Sequence, residues 1–246
     1  MSATTSRGVV RERGALRECS PLVGLTATPY RRDGLEAIMS MHLGPKRLVI
    51  GNAENATASL PRRLVVHETL SDPAVDDEGR IHDVFRAIVD DDERTAIICA
   101  DVRAAVEKGR RCIVLTQWSD HVARIGDYLT ASGVDPIVMT GAMGKKARAA
   151  VLAQLDDPNA AGQLVVATGS YIGEGFDCPT LDTLFLAFPL AFKGRVVQYI
   201  GRILRTNEGK ADIEVHDYLD PGPIFRKMHS KRLATYRTLG FDTPNR

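Results

Sequence analysis

Between Gln198 and Arg205 the chain reads Gln-Tyr-Ile-Gly-Arg-Ile-Leu-Arg. On a helix, positions i, i+3, i+4 and i+7 share one side. Here those positions are Gln198, Gly201, Arg202 and Arg205, set against an apolar group of Val197, Ile200 and Leu204. Two guanidinium groups presented together suit a phosphate, because they can offset charge that develops on phosphoryl oxygens during transfer. A glycine inside a helix costs about 1 kcal/mol against alanine, so Gly201 predicts that another surface approaches the backbone there. On spacing alone, a solvated helix face with two arginines is an equal reading.

Those residues need a scaffold, and the chain from Arg111 onward predicts one. Short β-rich runs at 112–116, 137–140, 164–168, 183–188 and 213–217 alternate with helical patterns at about 120–129, at 145–155 and around Arg202. Ser119 is the expected cap of the first of these helices. Such alternation predicts a parallel sheet flanked by helices. The N-terminal part has one clear strand-like run, 22–25, with further strands expected at 47–50 and 63–67, an acidic loop at 72–80, and helices at 81–89 and 95–106. The expected organisation is therefore an N-terminal remnant over 1–70, a helical linker over 71–110 and an α/β domain over 111–246. Pro223 and Gly240 bracket a last, basic helix, for which packing on the domain is the favoured reading and a nucleic-acid contact the other.

Composition narrows the class. The 246 residues are 44% hydrophobic, 26% charged and 6% aromatic with a net charge of +1, an ordinary globular balance in which any polyanion must be held by local patches. The four cysteines form no Cys-x-x-Cys and the six histidines show no metal spacing, so reduced buried thiols and structural histidines are expected. The first twenty residues lack the apolar core of a secretory signal, and Pro189 interrupts the longest apolar run. A cytoplasmic location is the expectation.

Four separated segments change the weight of the arginine helix. Gly24-Leu25-Thr26-Ala27-Thr28-Pro29, Val114-Leu115-Thr116-Gln117, Val166-Ala167-Thr168-Gly169 running to Glu174-Gly175-Phe176-Asp177, and Gln198 to Arg205 follow one another in the order and rough spacing of motifs III, IV, V and VI. The chain resembles the superfamily-two helicases, in the branch of the type III restriction subunit-like and DEAD/DEAH-box enzymes, over roughly residues 22–240. The resemblance implies a RecA-like second domain preceded by the end of a truncated first one, with ATP clamped between two such domains. It makes Gln198, Arg202 and Arg205 the catalytic set, the arginines acting as fingers on the γ-phosphate. It assigns Glu174, Gly175 and Asp177 to the nucleotide and Thr26 and Thr28 to coupling. Gln117, Gly141, Lys145, Thr168 and Gly169 go to the nucleic-acid backbone, with DNA favoured over RNA. Asp177 is otherwise a turn or cap residue, the threonines a strand end and cap, and the basic start at Lys145, Lys146 and Arg148 a solvated face.

The same resemblance requires a Gly-x-x-x-x-Gly-Lys-[Ser/Thr] loop and an acidic magnesium motif ahead of motif III, and neither is in the sequence. The resemblance therefore implies ATP and Mg²⁺ as cofactors, with the Mg²⁺ ligands expected in a missing N-terminal portion or a partner subunit. The expected function is the C-terminal part of an ATP-dependent helicase or translocase that is not competent alone. The alternative is an orphan RecA-like module that binds nucleic acid or a partner without catalysis.

Overall fold

Continuous apolar runs decide the central sheet. In a computed structural model, β6 (Cys112–Thr116), β8 (Leu164–Thr168) and β9 (Thr183–Leu186) are buried at every position, as strands covered on both faces must be. With β5 (Arg62–Glu68), β7 (Ile137–Met139) and β10 (Ile213–Leu219) they form a six-stranded sheet in the order β5-β10-β9-β6-β8-β7. Every pairing in it is parallel. The residues described are 3–5, 8–12, 15–19, 22–24, 38, 41, 60–71, 81–141, 143–155, 157, 162–170, 178–190, 193–204 and 210–243, with backbone only before residue 25 and at Lys145, Lys193 and Arg202.

The chain divides into two compact units, 1–53 and 54–246. In the first, β1 (Ala3–Thr5) pairs antiparallel with β4 (Leu22–Gly24), and β2 (Gly8–Glu12) pairs antiparallel with β3 (Ala15–Cys19). Only the run at 22–24 is anticipated by pattern. Arg11, Glu12, Arg17 and Glu18 interrupt the apolar signal of β2 and β3. The expected strand at 47–50 and the loop at 72–80 lie outside the described residues.

The second unit is a layered α/β body. Six helices belong to it among the described residues: α1 (Ile81–Asp90), α2 (Asp92–Glu107), α3 (Ser119–Ala131), α4 (Lys145–Leu155), α5 (Lys193–Ile203) and α6 (Pro223–Thr238). Ile98, Val102, Val122, Ile125 and Leu129 of α2 and α3 pack on Val114, Val166, Phe185 and Tyr218 on one face of the sheet. Val196, Ile200, Ile203 and Tyr236 of α5 and α6 pack on Ile113, Val165, Leu184 and Val215 on the other. The segment at 62–68, counted with the N-terminal part in sequence, is the edge strand beside β10, from Arg62↔Ile213 to Glu68↔Leu219.

Local signals hold with one exception. Asp91 caps α2 by accepting from the Arg94 amide at 2.9 Å. Pro223 occupies the first turn of α6, and Gly240, just past its end, takes a φ of 74° that other residues rarely adopt. Ser119, expected as the cap of α3, is instead its first helical residue. Trp118 is the N-cap and offers no side-chain acceptor. Among the described residues no helix is long and apolar enough to cross a membrane.

Candidate functional site

Because the six strands are parallel, their C-terminal ends share one edge, where open α/β sheets hold their ligands. Gln117 follows β6, Thr168 ends β8 with Gly169 behind it, and Gly141 lies just past β7, so three adjacent strands bring these residues to the same edge. Gln117 is half-buried and Gly141 exposed, while the buried Thr168 hydroxyl lies 3.2 Å from that of Ser170. Lys145 opens α4 directly after this edge.

Helix α5 leaves the C-terminal end of β9 and leads to the start of the parallel β10, so it runs antiparallel to the strands and carries Arg202 in its last turn. Val196, Tyr199, Ile200 and Ile203 are its buried face. The apolar stripe is thus rotated by one residue from that expected, with Val197 and Leu204 only half-buried. Gln198 and Gly201 are exposed on one side, as the spacing predicts, and a Cβ added at Gly201 would meet nothing within 4 Å. No described residue of the chain therefore covers the glycine. At the end of the helix the Lys210 ammonium donates to the Ile203 carbonyl at 2.9 Å, where a cation is favoured by the helix dipole. Thr26, Thr28, Glu174, Gly175, Asp177 and Arg205 lie outside the described residues, as do the side chains of Arg202 and Lys145.

Gly169 has a packing reason of its own. A Cβ there would stand 1.9 Å from the Tyr199 hydroxyl and 2.5 Å from its Cζ, so the missing side chain makes room for a tyrosine of α5. Gly169→Ala is expected to cost about 1–3 kcal/mol by overpacking. In urea unfolding, the double variant with Tyr199→Leu should lose less than the sum of the two single changes.

At the same edge the buried Thr116 hydroxyl and His121 Nδ1 are 2.7 Å apart. Burial, then the nearby Arg94 and Arg124 charges, push the His121 imidazole down to about 3, so the ring is neutral. The unfolded chain binds this proton below about pH 6.5 and the folded one does not. Stability is therefore full above that pH and falls as the pH drops toward 3, by up to about 1.4 kcal/mol per unit from this group. His121→Asn should flatten that slope in urea titrations between pH 7.5 and pH 4.5.

Sequence reading missed a set of buried charges beside the edge. Arg94 on α2 binds Asp220, and Arg232 on α6 binds Asp217, all four at most 2% exposed. The available signal was the pair Asp217 and Asp220 at and just past the end of the strand expected over 213–217. The basic α6 otherwise keeps Arg226, Lys227, Lys231 and Arg237 exposed, as the packed-helix reading expects. His67, His121, His216 and His229 all have side-chain neighbours, and no group of three or more metal-ligating residues could hold a metal among the described residues.

A parallel six-stranded sheet in this order, with helices on both faces, is a RecA-like domain. The helicase conserved C-terminal domain family matches residues 93–207. The chain carries the helicase conserved C-terminal domain over those residues, the part that the resemblance of its motifs to the superfamily-two helicases implies. It is 38% identical over 89 residues to the uncharacterized protein 108L of Invertebrate iridescent virus 3, covering 35% of this chain and 78% of that one. It is 25% identical over 246 residues to the putative helicase 161L of Invertebrate iridescent virus 6, covering 89% of this chain and 50% of that one. The crystal structure of T4 UvsW shares the fold with a TM-score of 0.59 at 17% identity, over 74% of this chain and 40% of UvsW. The chain thus spans half the length of the helicase-named viral relative.

Proposed function

We propose that the chain is the second RecA-like half of an ATP-dependent motor that moves along nucleic acid, with DNA as the favoured track. The observation that carries this is α5: its buried face seats it on the sheet, while Gln198 and Gly201 face outward, on the stripe that helical spacing in the sequence extends to Arg202 and Arg205. Arg202 and Arg205 reach the γ-phosphate as arginine fingers, and Gln198 orients beside them. Glu174, Gly175 and Asp177 contact the nucleotide, and Thr26 and Thr28 relay its state. Gln117, Gly141, Lys145 and Thr168 meet the nucleic-acid backbone at the strand-end edge, where backbone contacts set position and not sequence. The packing of Tyr199 against Gly169 links that edge to α5, so Gly169 serves the contact between the two sites as much as the strand itself.

This chain's residues fit the nucleotide only in part. The sequence has no phosphate-binding loop of the Gly-Lys-[Ser/Thr] type, and no described cluster suits a divalent cation. The grip on the triphosphate and on Mg²⁺ is therefore assigned to a first RecA-like domain, in the same or another polypeptide. When bound there, Mg²⁺ neutralises phosphate charge, and this chain supplies cations and closure.

The test supplies such a first domain in trans and measures ATP hydrolysis with and without single-stranded DNA. Stimulated hydrolysis that Arg205→Ala removes supports the reading. Hydrolysis indifferent to that change overturns it, and a salt-dependent gel shift with no hydrolysis in any mixture identifies a binding module.

A further inference from the structure

The connection from β9 to α5 is held from both faces of the sheet by the same device. Arg94 donates from Nε and Nη2 to Asp220 at 2.7 and 3.2 Å, and from Nη1 to the Ala187 carbonyl at 2.7 Å. Arg232 donates from Nε and Nη2 to Asp217, both at 2.8 Å, and from Nη1 to the Leu190 carbonyl at 2.9 Å. Each guanidinium thus turns the Nε–Nη2 fork to an aspartate at or just past the end of β10 and aims an N–H of Nη1 at the connection. Thr69 also donates to Asp220 at 2.6 Å and Tyr236 to Asp217 at 2.8 Å, so both carboxylates are fixed. Between the two held carbonyls lie Phe188 and Pro189, and α5 begins at Lys193.

A buried ion pair is weak evidence for stability, since apolar residues of the same volume commonly do as well. What a carboxylate-pinned guanidinium adds is direction, because its donors lie in one rigid plane. Two of them, one on each side, set where the connection crosses the sheet edge and the angle at which α5 departs. We propose that Arg94 and Arg232 are positioning residues that place the Gln198, Gly201 and Arg202 stripe of α5. The catalytic meaning of this placement rests on the reading of that stripe as facing nucleotide, where about 1 Å of displacement can cost roughly 10²-fold in rate.

Hydrogen exchange on the chain itself tests the placement. In Arg94→Lys and Arg232→Lys, amides of α5 should exchange about tenfold faster, while those of β6 and β8 change no more than in Val166→Ala, a core control. A third variant, Asp217→Leu with Arg232→Met, removes the Arg232 clamp without leaving a buried charge unpaired. It should regain stability but keep the fast exchange in α5. With the first domain supplied in trans, all three clamp variants should lower kcat roughly 10²-fold and leave the KM for ATP within about threefold. Uniformly faster exchange across the sheet overturns the proposal, as does recovery of kcat along with stability in the apolar pair. Fast exchange confined to α5, in mixtures whose wild type hydrolyses no ATP, upholds the clamp and overturns the nucleotide reading instead.

Discussion

Arg202→Ala is expected to lower kcat for ATP hydrolysis on the order of 10³-fold or more once a first RecA-like domain is present, with a much smaller change in KM. In the role proposed for it, the guanidinium acts only in the transition state. Charge spreads over the γ-phosphoryl oxygens in the transition state, and a fixed cation there lowers the barrier without holding the ground state more tightly. Helix α5 suits the role because its buried face, Val196, Tyr199, Ile200 and Ile203, seats it firmly on the sheet, and Lys210 ties its last turn. Arg202→Lys should recover little, since an ammonium cannot reproduce the planar fork. Arg205→Ala should fall in the same range, and the double variant should lose far less than the product of the two losses, because residues that act as a unit are not additive. Steady-state hydrolysis at saturating single-stranded DNA reads all four variants. Full activity in Arg202→Ala would place the finger elsewhere.

Removing Asp217 should produce the largest loss of stability, about 3–5 kcal/mol for Asp217→Ala, because it strands a buried cation. Arg232 would lose both halves of its fork, and Tyr236 would lose its acceptor. Burial alone would push the Asp217 carboxyl up. Arg232, with His229 beside it, overrides that and holds it well below the usual carboxylate range. A carboxyl held down in the folded state contributes stability that is full above its unfolded value, near 4, and is lost as the pH falls toward its folded one. Urea unfolding at pH 7.5 and pH 3 should therefore show the wild type losing at acid pH part of what the variant lacks at both.

Much of the fold follows from local chemistry. The runs at 112–116 and 164–168 are apolar at nearly every position, and only a strand covered on both faces satisfies such a run in a short parallel sheet. Helix limits at 81, 145 and 223 follow from periodicity and from Pro223. The short strands at 8–12 and 15–19 do not announce themselves, since their charges break any alternation and their identity comes from pairing with one another. The strand at 62–68 shows its pattern but not its place, because nothing in Arg-Arg-Leu-Val-Val-His-Glu names β10 as its neighbour.

The candidate site divides in the same way. Gln198, Gly201, Arg202 and Arg205 fall on one stripe by helical spacing alone, and the order of Thr168, Gly169 and the segments around them carries the resemblance to the superfamily-two helicases before any coordinate is known. What spacing cannot express is contact between residues far apart in the chain. Gly169 reads as a strand-end residue turned to the nucleic-acid backbone, yet its missing side chain leaves the hollow that receives Tyr199. Arg94, just ahead of the helix expected at 95–106, and Arg232, on the basic last helix, read as two more charges, and only the meeting of α2, α6 and the end of β10 turns them into fixed donors to Ala187 and Leu190. By itself the sequence determined the elements of the sheet and the candidate residues of the site, because motif spacing and apolar runs are local. The tertiary structure decided what holds them, because buried charges find their partners only when distant segments pack.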